Sequence, residues 1–400
     1  MQIFCEKQRI ALVCLVLLAA APLAESQTAH QLRRRGIAAQ AKGDYDKAIE
    51  NFTDAIDLDP KNATTYQLRA RAELFKRNPA AAIADFDRAV EADPKSAPAF
   101  LTRGIAKLQK KDTDGALADF NRVIELDPKN SVAYFYRGTI EQLKNDDMDG
   151  DIADYNKAIE LDPKYARAYE SRGLARQRKN DMDGAIADFN KAIELDPKNA
   201  RSYYNRGLIR DVKGDLDGAI ADDTRSIELD PNHAFTYNNR GNAKKAKGDM
   251  EGAIADFDHA IELDSKSARA YSNRGFAKKV RGDLNGAVAD FTRAIELDPK
   301  YAEGYNDLAW LSATAPNSSL RNGAKAVEYV TKACELTQWK DVRIIDTLAA
   351  ANAENGDFDQ AIKWENKYLG SNPSNKKDVE GAQSRLALYQ KHQPYHEAPK

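Results

Sequence analysis

The chain has 400 residues, with 60 Lys plus Arg set against 62 Asp plus Glu, for a formal net charge of −2. That balance leaves no general drive toward nucleic acid or an anionic membrane, so any charge-based recognition must come from local patches. The length alone would suggest two or three globular domains. The sequence repeats itself, however, and a chain that grows by stacking like units is expected to form one continuous body.

Residues 1–26 read as a leader. Lys7 and Arg9 precede an apolar run from Ile10 to Ala21, followed by Ala24-Glu25-Ser26. This is the layout of a secretory signal peptide, cleaved after Ser26 or Ala24. The run is short for a membrane span, which needs about 20 apolar residues. An uncleaved N-terminal anchor is the alternative. Cys14 stands too early in the run to be a lipid-attachment cysteine, and Cys5 and Cys14 would leave with the signal. Cys334 is then without a partner in the chain and is expected to be a packed thiol, not a nucleophile.

From Ala29 to Tyr301 one phrase recurs. Its closing proline stands at Pro60, Pro94, Pro128, Pro163, Pro197, Pro231 and Pro299, with Ser265 in the missing slot. The step is 34 residues, except for 35 between Pro128 and Pro163. Each unit reads as two helices. The first, such as Ala200–Val212, starts after Asp-Pro, with the proline expected in its first turn and the Asp capping it. It stops at Gly-Asp (Gly43-Asp44, Gly214-Asp215, Gly248-Asp249, Gly282-Asp283), where Gly permits a left-handed residue and Asp starts the next helix. The second helix carries Ala-Ile-x-x-Phe-x-x-Ala-Ile, apolar at helical spacing. Small residues such as Gly207 and Ala219 let the two helices approach, and Phe189, Phe257 and Phe291 fill the space between units.

Two units depart from the rule. Ser131–Tyr165 holds an extra residue in Asn145–Asp149, expected to lengthen the inter-helix turn and leave both helices intact, so that deleting Asp147 is nearly neutral. Ala200–His233 puts Asp223 where other units have Phe or Tyr, and Ser226 where they have Ala. A carboxylate at a packing site needs a partner. Arg206 or Arg210 is expected to neutralise it, leaving this unit the soft joint of the stack. A stripe of arginines (Arg35, Arg69, Arg103, Arg137, Arg172, Arg206, Arg240, Arg274) precedes the repeat Gly, whose slot Ala70 fills after Arg69. Each is expected to pair with an Asp of its second helix (Asp85, Asp119, Asp154, Asp188, Asp222, Asp256, Asp290), although such a ladder of cations could also hold a polyanion.

Ala302–Thr337 keeps the helix pair but inserts a loop around Ala315–Ser319, Asp341–Pro373 forms a further unit, and Lys377–Lys391 reads as a capping helix. Trp310, Trp339 and Trp364 all fall in this end module, as core or as a binding site.

The opening Tyr (Tyr66, Tyr134, Tyr169, Tyr203, Tyr237, Tyr271), the Gly four residues on, Ala-x-x-x-Phe, Ala and the closing Pro resemble the tetratricopeptide repeat. The resemblance implies an all-α, right-handed superhelical solenoid of about ten helix-turn-helix units: eight over 29–301, two divergent ones over 302–373, and a capping helix with its tail over 374–400. It implies a concave groove lined by first helices, in a family that mostly binds peptides and proteins. With the leader it further implies a bacterial envelope protein, periplasmic or secreted, or anchored at the inner membrane if the leader is kept.

No phosphate loop, nucleophile elbow or Cys-x-x-Cys is found, so no enzyme and no cofactor is expected. His392 and His396 stand four apart with Pro394 between and no third ligand, which argues against a metal. The Gly-Asp-x-Asp-Gly turns read as caps, lacking the ligand series of a calcium loop. The expectation is a non-enzymatic scaffold taking an extended protein segment. Asn205, Asn239 and Asn273, two residues before the repeat Gly, are expected to face the groove and hold a peptide backbone. Arg167, Arg201 and Arg269 would add positive charge favouring an acidic partner segment. The family's carboxylate clamp is not reproduced: after Asn238, Asn242 and Asn273 the next unit offers Glu303 and Asp307 instead of cations. The alternative is that these asparagines merely tolerate a solvated helix face.

Overall fold

The computed structural model describes residues 28–144, 148–371, 373 and 375–398. The leader and residues 145–147 of the turn expected to hold the extra residue lie outside the described residues. Among the described residues there is no strand, and no helix is long and apolar enough to cross a membrane. Within each of two compact units, consecutive helices pack as pairs, and each pair packs on the next of the same unit. The architecture is an all-α solenoid. It parts into two compact units at Leu195/Asp196, where one continuous body was expected.

The first unit contains 28–41, Tyr45–Leu58, Ala63–Phe75, Pro79–Ala92, Ala97–Gln109, Thr113–Leu126, Ser131–Lys144, Met148–Leu161, Ala166–Arg178 and Met182–Leu195. The helices flanking the 35-residue step are both intact. The second unit contains Ala200–Val212, Leu216–Leu229, Ala234–Ala246, Met250–Leu263, Ala268–Val280, Leu284–Leu297, Ala302–Thr314, Gly323–Leu336, Val342–Glu354, Phe358–Gly370 and Lys376–Tyr389.

The punctuation between helices is local chemistry. At the Gly-Asp turns, Gly214, Gly248 and Gly282 adopt φ of 81°, 87° and 88°, a region that penalises any side chain. The following Asp215, Asp249 and Asp283 accept from the backbone N–H three residues on, each at 2.9 Å, and so cap the second helix. The Asp-Pro segment differs from expectation. Its proline lies outside the helix, in a turn closed by bonds such as Ser96 N–H to Asp93 O at 3.2 Å and Asn130 N–H to Asp127 O at 3.1 Å. The Asp carboxylate accepts within that turn, from Lys95 and Lys198 N–H at 3.1 Å. Proline's fixed φ suits the second position of such a turn, and the helix cap falls to a later residue, Asn62 or Ser267.

Phe52, Phe120, Phe189, Phe257 and Phe291 of the second helices are fully buried against the glycine of their own first helix. A Cβ on Gly241 would stand 2.6 Å from the Phe257 ring, and one on Gly275 2.8 Å from Phe291. Close approach is what the glycine provides.

From Arg69 to Arg274 the arginine stripe is internal; Arg35, with Asn51 in place of the aspartate sixteen residues on, is exposed instead. Arg172 Nε and Nη2 donate to Asp188 at 2.9 and 2.6 Å, Arg240 to Asp256 at 3.0 and 2.6 Å, and Arg274 to Asp290 at 2.9 and 2.6 Å. Each aspartate is almost fully buried, and each guanidinium also lies over the Tyr three residues earlier, as Arg172 does over Tyr169 at 5.4 Å. Two-pronged pairing satisfies a desolvated carboxylate in the planar geometry that only arginine offers.

The divergent end is tied down by other means. Arg321 donates to Ala315 O at 2.7 Å and to Glu354 at 3.0 Å, pinning the inserted loop. Trp310 and Trp364 pack against the local core. Trp339 stacks on Trp364 at 5.6 Å and remains exposed. Cys334 is buried in that core, where desolvation pushes its thiol up to about 11; it is a packed thiol.

Candidate functional site

The first helices of successive pairs in the second unit lie side by side, and their exposed face carries a cavity of about 250 Å³. Lys245, Asn273, Phe276, Glu303, Asp307 and Arg343 are among the residues that line it. Phe276 is 38% exposed at its centre. The ammonium groups of Lys245 and Lys279 lie over its ring at 5.2 and 5.8 Å.

Charge in this face alternates. Desolvation lowers the Lys245 pKa, opposed by the nearby Asp307 and Asp211. Desolvation raises Asp307 to about 6, opposed by Lys279, by a hydrogen bond from Ser272 at 3.2 Å and by Lys245. Asp341 holds Arg343 at 2.7 and 3.0 Å. The lining therefore offers donors, acceptors and one apolar ring, with charges already partly matched.

The asparagines occupy three different settings. Asn273 lines the cavity, accepts from Lys245 Nζ at 3.1 Å and donates to Asn238 Oδ1 at 3.1 Å. Lys245, Asn273 and Asn238 thus form one hydrogen-bonded chain, with Asn238 buried. Asn205 is buried, has no partner for its Nδ2, and lines a second cavity of about 330 Å³ with Arg201, Tyr204, Ser226 and His233. Asn239 and Asn242 are half-buried; Asn239 lies near the Tyr204 phenol, with its Nδ2 buried and without a hydrogen-bond partner. Arg201 and Arg269 are exposed, and the Arg269 charge acts on the phenols of both Tyr204 and Tyr301. Arg167 belongs to the first unit and lies over the Phe135 ring at 5.1 Å.

The pairing expected for Asp223 is not found. Arg206 and Arg210 both bind Asp222 instead, at 2.6–2.8 Å. Asp223 is 2% exposed with Oδ1 unbonded, and burial beside Asp222 pushes it up to about 8. Successive residues on a helix point about 100° apart, so the arginines placed for the ladder position reach Asp222 and miss its neighbour.

Sequence reasoning did not place the end of the chain at this face. Glu397 N–H donates to Thr314 O at 2.7 Å, and Trp310 Nε1 donates to the Glu397 carboxylate at 2.7 Å. Lys279 stands 3.6 Å from the same oxygen. His396 is hydrogen-bonded to Glu354 at 2.7 Å, and His392 stacks on Phe358 at 5.2 Å. No sequence signal links residues this far apart.

Family models described as "Tetratricopeptide repeat" match residues 33–97, and again 97–130, 200–233 and 268–301. A further model described as "TPR repeat" matches 149–180, 178–210 and 241–279. Among solved structures, the MamA protein is similar at 29% identity over 44% of this chain and 95% of that one, with a TM-score of 0.40. YrrB, titled "a TPR protein with an unusual peptide-binding site", is similar at 22% identity over 48% of this chain and 97% of that one, with a TM-score of 0.42. A tetratricopeptide repeat protein from Parabacteroides merdae is similar at 21% identity over 63% and 99%, with a TM-score of 0.48. No curated protein matches the chain.

Proposed function

The chain belongs to the tetratricopeptide repeat family, and from that premise we propose that it is a non-enzymatic scaffold of the bacterial cell envelope, holding an extended protein segment against its first-helix face. Proteins of this family typically serve as protein–protein interaction scaffolds. The observation that carries the reading is the cavity around Phe276: an exposed aromatic ring flanked by Lys245, Asn273 and Asp307. An apolar anchor point with polar groups spaced along helices suits a peptide whose alternate residues enter while its backbone finds amides and charges. Arg343 in the lining and the exposed Arg269, whose charge reaches the lining Tyr301, favour a segment with acidic residues. The envelope location rests on the leader-like residues 1–26, and the sequence of the exported product's N-terminus tests it: a start at Gln27 supports export with loss of the leader, and a start at Met1 supports an anchor.

The groove itself is tested by capture. Full-length mature protein is cross-linked in an envelope fraction beside a Phe276→Ala/Asn273→Ala variant of equal helicity and melting temperature. A partner retained by wild type and lost by the variant supports the reading. Equal capture by both overturns it.

A further inference from the structure

We infer that the chain's own C-terminal tail is a displaceable occupant of this face, and that the seat it fills accepts a segment with an aromatic residue two before a carboxylate. The inference rests on the groove reading above and adds the class of partner. The tail leaves the capping helix at Tyr389 and turns back through Gln393, whose N–H donates to Leu388 O at 3.0 Å. Three successive side chains then each meet partners on the helices. Tyr395 sits beside Trp310 at 6.4 Å, with the Arg385 guanidinium over both rings at 5.8 and 5.5 Å. His396 is bonded to Glu354. Glu397 places its carboxylate on Trp310 Nε1 and near Lys279, and its backbone on Thr314 O.

These contacts recognise a segment in the way a peptide site does. One main-chain bond sets the register, a cation-covered aromatic slot takes one residue, and an indole N–H with an ammonium takes a carboxylate. Lys279 joins the seat to the cavity, since its ammonium lies over both Phe276 and Trp310. A segment entering along Phe276 with this aromatic-x-acidic pattern must therefore meet Glu397 already in place.

A short tether gives the tail an effective concentration in the millimolar range. A partner segment in trans competes against that and binds with correspondingly reduced apparent affinity. The contacts come from three consecutive residues beyond the last helix, with Tyr395 also packing on the cluster around Tyr389, so release of the tail breaks no hydrogen bond within a helix.

The test uses a fluorescent synthetic peptide with the sequence of Gln393–Lys400 as the probe and full-length chains as the receptor. Wild type is compared with Tyr395→Ala/Glu397→Lys, which frees the seat, and with the same release variant carrying Trp310→Ala. Melting curves first establish that all three are folded. The expected result is binding to the release variant at least tenfold tighter than to wild type, and loss of that gain with Trp310→Ala. Glu397→Gln alone should fall between wild type and the release variant. Equal binding to wild type and release variant, or no binding to either, would overturn the inference. The probe is the tail itself, so no partner enters the assay. Failure of the groove reading would show instead in the capture experiment with Phe276→Ala/Asn273→Ala.

Discussion

Removing the charge of Asp223 should relieve a pH-dependent weakness in the middle of the second unit's first repeat. The carboxyl is 2% exposed, its Oδ1 makes no hydrogen bond, and it titrates near 8 where an ordinary aspartate titrates at 3.8. The causes are burial first and then the Asp222 charge; Arg240 acts in the opposite sense, and Asp211 and Asp256 add to the push. A folded-state pKa above the unfolded one means that this group's contribution is most favourable below about pH 4 and is lost as pH rises toward 8. The interval of about four pH units, at about 1.4 kcal/mol each, bounds the loss at about 5–6 kcal/mol. Relaxation of the site and entry of water reduce what is measured, so about 2–3 kcal/mol is expected at pH 8. Asp223→Asn keeps the shape and removes the titration. Asp223→Phe goes further and restores the ring that sister repeats pack against their glycine, adding about 1–2 kcal/mol of apolar burial. Thermal melts of the three proteins at pH 5, 6.5 and 8 are the assay. Asp307 and Glu365 are also raised, so the readout is the difference between wild type and Asp223→Asn, which should be small at pH 5 and widen by pH 8. Parallel curves for the two proteins, or a marked drop in melting temperature for Asp223→Phe, would refute the reasoning.

Asp290→Ala removes the carboxylate that holds Arg274 and Lys278 at 2.6 and 2.8 Å, leaving Arg274 with Asp258 alone, and should cost about 2–4 kcal/mol in a denaturant titration. Gly241→Ala forces the Phe257 ring away from a contact of 2.6 Å and should cost about 1–3 kcal/mol; Gly282→Ala, at φ 88° with open space around it, should cost about 1–2 kcal/mol through backbone strain alone, and melting temperatures separate the two. Cys334 should resist a thiol reagent at pH 8 in the native protein and react at once in denaturant. Because Asp307 ionises near pH 6 beside the cavity, capture of an acidic segment should weaken as pH rises from 5 to 7, and Asp307→Asn should flatten that dependence.

The helix pairs, their caps and the Arg–Asp ladder were legible in the residues because each is specified over a short span. Apolar spacing, a positive-φ turn (Gly-Asp in several units, Arg77, Lys111 or Asn180 in others) and, from Arg69 to Arg274, a partner set 16 or 17 residues away recur along the repeats, so local signals agree along the chain. The Asp-Pro turn was misassigned as part of the helix by the same local logic, since proline suits a first helical turn and a tight turn equally; the backbone path into the next unit decides between them. Side-chain direction at the groove was beyond reach. Asn205, Asn239 and Asn273 hold equivalent positions in successive repeats, yet one is buried, one lies half-buried beside Tyr204 and one is bonded to Asn238. Neighbours outside the repeat pattern set those environments. Asp223 failed its expected partners because Asp222, one residue away, presents its carboxylate to the same arginines. The tail's return to Trp310 joins residues 87 apart, with no periodicity or cap to announce it, and only the closed packing of the last helices brings those two groups within reach of a hydrogen bond.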